Sequence, residues 1–174
     1  MQMSDRPFVI IGENIHCTRK VKRSGPRCKK APDGMECVVF TDAAGQEALL
    51  PIPEAIRKTE GFEGGNVPHV AAAVQQGMFG DGENRKLGEA YIGWLAARQE
   101  KTGSQYLDVN VDEISPEIDR RNAAMKWIVE LLCRQTKLSL SIDSSEVSTL
   151  RIGLETVKKS GGARPMLNSA SLER

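Results

Sequence analysis

Asp108 and Asn110 in YLDVN, Asp143 with Ser144 in LSIDSS, and Asn168 with Ser169 in PMLNS all stand where a short apolar run gives way to polar residues. A carboxylate accepts two parallel N–H donors and a carboxamide both accepts and donates, so these residue types suit the reading of a flat polar edge. A buried carboxylate is tolerated only with hydrogen-bonding partners, from a ligand or from a neighbouring backbone. One Asp of this kind is equally a turn residue or a helix N-cap. Three such ends in phase point to a shared site. A fourth string, GENIH, adds Glu13 and His16, the latter either a ligand contact or the cap of a loop.

The elements that position these residues can be read from periodicity. Across 106–111, Leu107, Val109 and Val111 alternate with Tyr106, Asp108 and Asn110, the period of a strand whose two sets face opposite sides. Residues 138–143 alternate likewise, 164–168 open another strand, and 8–11 read as a fully buried one. Leu87, Tyr91, Trp94, Leu95 and Arg98 recur at helical steps, which predicts a helix from 85 to about 101, capped by Asn84 and stopped by Gly103. Ser115-Pro116-Glu117 opens a second helix with Ile118, Met125, Ile128, Val129 and Leu132 as buried candidates. Residues 146–159 form a third, ended by Gly161-Gly162, with Ser144 expected to cap it. Strands alternating with helices of this length imply parallel βαβ units, whose strands present their carboxyl ends on one face. Side chains far apart in sequence then converge.

With 40% hydrophobic and 27% charged residues, a chain of 174 residues has the composition of a globular domain. No apolar run approaches the roughly 18 residues of a spanning helix and no signal peptide is recognisable, so a cytoplasmic protein without a membrane partner is expected. Cys17, Cys28, Cys37 and Cys133 match no zinc spacing; they read as reduced structural thiols, and no metal site is expected. Residues 17–84 are glycine-rich and read as a largely irregular insertion that folds apart from the βα units, with a hairpin between ECVVFTD and EALLPIP and a short helix over 69–78. Arg19, Lys20, Lys22, Arg23, Arg27, Lys29 and Lys30 crowd its start with no acid among them, leaving 17 Lys and Arg against 23 Asp and Glu elsewhere. Such a run is usually a solvated loop, and as a functional patch it would attract anions through its field. It carries no interleaved aromatic residues, so nucleic acid is not an expected partner. His69, Trp94 and Trp127 read as packing residues.

GENIH, YLDVNVDE, LSIDSS and PMLNSAS, in this order and at βα spacing, resemble the pterin-binding methyltransferase family. That family holds methyltetrahydrofolate:corrinoid methyltransferases and the folate domain of cobalamin-dependent methionine synthase, and it shares a TIM barrel with dihydropteroate synthases. The resemblance covers residues 7–16 and 86–174. It implies that Asp143 and Asn168 bind the pterin ring, with Asp108 and Asn110 in the floor or wall of the same pocket and Glu13, His16 and Ser169 as further contacts; it assigns no catalytic residue. A pterin presents an amino group beside a ring N–H, two parallel donors for Asp143, and a mixed edge suited to Asn168. Glu13 matches the glutamate of the methyltransferases' GERTN string, whereas His16 replaces its asparagine. The synthases' pyrophosphate-binding loop (Asn, Val, Thr, Pro, Asp) has no counterpart after Gly12. Methyl transfer is therefore favoured over condensation of a pterin pyrophosphate with p-aminobenzoate.

The expected fold is α/β: the first four strands of a TIM (β/α)8 barrel, residues 1–16 and 85–174, with 17–84 inserted after strand one. Such barrels usually take roughly 250 residues, and four strands leave two edges unpaired, so the chain reads as the N-terminal half of a longer enzyme and is expected to be inactive alone. The resemblance implies tetrahydrofolate as substrate and a corrinoid (cobalamin) on a partner protein, and a homo-oligomer is compatible with it. A reading from another class is a non-catalytic pterin- or partner-binding module, in which the insertion recruits the partner.

Overall fold

The computed structural model describes residues 8–168, so Ser169 lies outside the described residues. Strand β1 (Ile11–His16) leads into short strands β2 (Lys20–Lys22) and β3 (Cys28–Lys30), then β4 (Glu36–Thr41) and β5 (Glu47–Pro51). Single helical turns α1 (Glu54–Arg57) and α2 (Glu60–Glu63) precede β6 (Asn66–Pro68) and helix α3 (His69–Phe79). The regular half follows: α4 (Gly82–Lys101), β7 (Tyr106–Asn110), a 3-10 turn at Asp112–Ile114, α5 (Ile118–Gln135), β8 (Ser139–Asp143), α6 (Val147–Lys159) and β9 (Met166–Asn168). No described helix is long and apolar enough to cross a membrane.

Strands β1, β7, β8 and β9 form one parallel sheet in chain order, the α/β arrangement read from the alternation of elements. Its helix-facing side is identified by Gly153 of α6, where an added Cβ would lie 2.5 Å from Ile142 Cγ2 and 3.2 Å from Met125 Cγ of α5. Leu140 shares that side by alternation, and Leu107 and Val109 are register partners of Leu140 and Ile142. All four are buried. The polar residues between them, Asp108, Asn110, Ser141 and Asp143, therefore face away from α5 and α6.

Several expectations are corrected. Phe8 is 93% exposed, and Val9, Ile10 and Ile11 are also exposed, because β1 is an edge strand that begins only at Ile11 and no described element covers its amino end. Helix α4 starts at Gly82 rather than 85, since Asp81 is the N-cap; its Oδ1 accepts from Asn84 N at 3.1 Å. Ile118 is exposed at the first turn of α5, before the apolar stripe meets the core. Residues 17–84 are neither irregular nor separate. They hold a β3–β4–β5 meander, containing the expected hairpin, and a β2–β6 ladder.

The reason lies in what that segment buries. Val38, Phe40, Leu50, Ile52, Phe62 and Val67 belong to the same hydrophobic core as Ile15, Leu107 and Leu132. Helix α3 lies against α4 at backbone distance: a Cβ on Gly88 would be 2.5 Å from Gly77 N and 2.6 Å from Ala73 O. Only glycine permits that approach. Trp127 of α5 then covers Gly77 from the other side, where a Cβ would meet its Cζ2 at 2.2 Å. The basic run, expected as a solvated loop, supplies β2 and β3, with Arg23 held bidentately by Glu36 and Lys29 paired with Glu47.

Candidate functional site

His16, Asn110, Asp143 and Asn168 are successive register partners across β1, β7, β8 and β9, one row at the carboxyl ends of four strands. Asp108 stands one same-face step below, beside Ser141 and Met166. His16 reaches this level because β1 carries one extra residue between Gly12 and Ile15, whose partners on β7 are only two apart. The bulge frees the backbone N–H of Asn14, which donates to Gln99 Oε1 of α4 at 3.2 Å. Gln99 fits there only beside a glycine, since a Cβ on Gly12 would lie 1.9 Å from its Oε1. Glu13, also expected at the site, is exposed and paired with Arg19 at 2.8 Å, outside the row.

The row is wired by hydrogen bonds. Asn110 Nδ2 donates to Asp143 Oδ2 at 2.9 Å while its Oδ1 accepts from Asp112 N at 3.0 Å, so the orientation of this amide is fixed from both sides. His16 Nε2 donates to the same Asp143 oxygen at 3.2 Å, which leaves Nδ1 to accept from Thr18 Oγ1 at 2.5 Å. Asn168 Nδ2 donates to Asp108 Oδ1 at 3.0 Å. Asp108 is 3% exposed, yet neither its Oδ2 nor Asp143 Oδ1 receives a hydrogen bond among the described residues. Ser141 Oγ beside them is buried and has no partner among the described residues. Two open carboxylate oxygens and an orphaned hydroxyl on one face form a surface rich in acceptors. A ligand carrying N–H groups along a planar edge satisfies it.

One atom from each of His16, Asp108 and Asp143 lies within 4.8 Å of the other two, a spacing that a single divalent cation can bridge. The described atoms of this trio are instead joined through N–H donors, which is how carboxylates are held when they serve as hydrogen-bond acceptors.

Sequence reasoning missed three supporting residues. Asp112 ties β7 to the loop after β8, accepting from Ser144 Oγ at 2.5 Å and from Ser145 N at 2.6 Å. Ser144 in turn accepts from Glu146 N at 3.0 Å, so it steadies the approach to α6 rather than its N-cap, which is Glu146. Asp112 was visible in YLDVNVDE as a third polar residue beyond Asn110; Gln99 and Thr18 left no signal in the sequence. Cys17, next to His16, is no nucleophile: burial, with Glu113 and Asp112 nearby, pushes its thiol far up. All four cysteines are unpaired.

A comparison with models of known protein families finds none that matches this chain.

Proposed function

We propose that this chain forms the first four βα units of a pterin-binding barrel that moves a methyl group from N5 of 5-methyltetrahydrofolate, or a related donor, to a corrinoid on a partner protein. The observation that carries the reading is the single row of His16, Asn110, Asp143 and Asn168 with Asp108 below it, built from the four strings whose resemblance suggests the family. The set of open acceptors fits a pterin. Asp143 keeps Oδ1 open for one N–H of the amino and ring N–H pair, its Oδ2 being taken by His16 and Asn110, and among the described residues the Asn168 carbonyl oxygen is free for the mixed edge while one amide N–H is spent on Asp108.

The amine that loses the methyl group is a poor leaving group until N5 gains a proton or a strong hydrogen bond. This chain's residues bind and orient the ring so that such a bond strengthens as charge develops; Asn110 and His16 hold Asp143 in the rotamer that does so. The corrinoid supplies the methyl acceptor when its own protein docks. Calorimetric titration with 5-methyltetrahydrofolate tests the reading. Binding that weakens at least tenfold in Asp143→Asn is expected; no binding, or equal affinity in wild type and variant, refutes it.

A further inference from the structure

Away from this row, the seam between the β3–β4–β5 meander and α4 holds a cavity of about 390 Å³, lined by Arg27, Phe40, Thr41, Glu47, Trp94 and Arg98 among others. Two guanidinium groups flank one indole: Arg27 Cζ lies 5.4 Å and Arg98 Cζ 4.7 Å from the Trp94 ring centroid. Neither has a carboxylate partner among the described residues, whereas Arg19, Arg23 and Arg120 each do. The one acid on the wall, Glu47, is already paired with Lys29 at 2.6 Å. The cavity therefore has an uncompensated positive charge.

Arg27 shows most clearly that something is wanting. Its Nη2 donates to Tyr91 OH, a neutral partner, and Tyr91 in turn donates to His69 Nδ1 at 3.0 Å. The residue is half-buried, but its Nε is fully buried and has no hydrogen-bond partner among the described residues. Buried charge is ordinarily paired, and buried donors are ordinarily bonded. Among the described residues this cation has only an indole face and a phenol. Burial and the neighbouring Arg27 keep His69 neutral, pushed down to about 3, so no second cation competes inside the network.

We propose that this cavity is a binding site for the oxyanion of a small molecule, a phosphate or a carboxylate, held between Arg27 and Arg98 against Trp94. A planar guanidinium matches either group with two parallel N–H bonds, and the indole supports both cations from the side. The site is independent of the pterin reading, because none of its residues belongs to the row at the strand ends.

The test is a 15N–1H titration of the whole chain, at constant ionic strength, with inorganic phosphate in one arm and glutarate in the other. The Arg27 Nε–H and Trp94 indole resonances report the cavity, and the Trp127 indole serves as an internal control. Saturable shifts of the first two in either arm are expected, with affinity at least tenfold weaker in Arg98→Gln, about 1.4 kcal/mol. Arg98 is exposed on the last turn of α4, so that variant keeps the fold. The arm that responds identifies the anion. Shifts in neither arm, shifts reproduced by chloride alone, or unchanged affinity in Arg98→Gln overturn the proposal.

Discussion

Asp143 directs one oxygen to the protein and leaves the other open, and this division has a measurable consequence. In Asp143→Asn an amide N–H would face a ligand N–H, and charge-assisted bonds worth roughly 1.5–3 kcal/mol each would be lost, so pterin affinity is expected to fall at least tenfold. Asp112→Ala acts on stability instead. It removes acceptors from Ser144 and Ser145, and a loss of about 1–3 kcal/mol in chemical denaturation is expected with affinity little changed. A drop in affinity as large as that of Asp143→Asn would show that Asp112 belongs to the recognition surface. His69 sets a pH dependence. Its folded value of about 3 lies below the ordinary 6.5, so between these limits the unfolded chain binds the extra proton. Stability is then full above 6.5 and declines as pH falls toward 3. Denaturation midpoints measured across that window should show a flatter slope for His69→Gln than for wild type.

Helices α4, α5 and α6 and strands β7 and β8 were legible because apolar residues recur at 3.6 or 2 in runs long enough to bury one face. Strand β1 was misread for a physical reason: an edge strand lacks the second neighbour that turns apolar content into burial, and Phe8 to Ile11 carry content without cover. The strands β2 and β3 were invisible for the opposite reason. In KVK and CKK the apolar residues are outnumbered by lysines, and β2 finds its partner in β6, more than forty residues away. The bulge in β1 was likewise hidden, since the side chain that accepts from its Asn14 N–H, Gln99 of α4, lies 85 positions away in the chain. Gly12→Ala should therefore destabilise by about 1–3 kcal/mol through overpacking against Gln99. Combining it with Gln99→Ala should cost less than the sum of the two single changes. Strict additivity in that cycle would mean that the two side chains do not meet.

At the level of the whole molecule, the meander and the parallel sheet share one core, so they should open together. Phe40 packs edge-on to Tyr91 with ring centroids 5.2 Å apart, and Phe40→Ala is expected to cost about 3–5 kcal/mol. Hydrogen exchange at β7 and β8 amides should accelerate along with that of β4; a change confined to β4 and β5 would restore the picture of a separate excursion. The convergence of Asp108, Asn110, Asp143 and Asn168 was readable, because parallel strands present their carboxyl ends together, whereas His16, left open between contact and cap, joins them only through the bulge, and Glu13, expected as a further contact, is instead paired with Arg19. That convergence also has a timetable. Asp108 and Asn168, joined side chain to side chain, are sixty positions apart in the chain. At translation rates of about 5–20 residues per second, the Asp108 carboxylate leaves the ribosome roughly 3–12 s before the amide that steadies it. During that interval the Asp108 carboxylate lacks the Asn168 amide that it accepts from in the finished sheet, and its Oδ1 is left to water until β9 has been made.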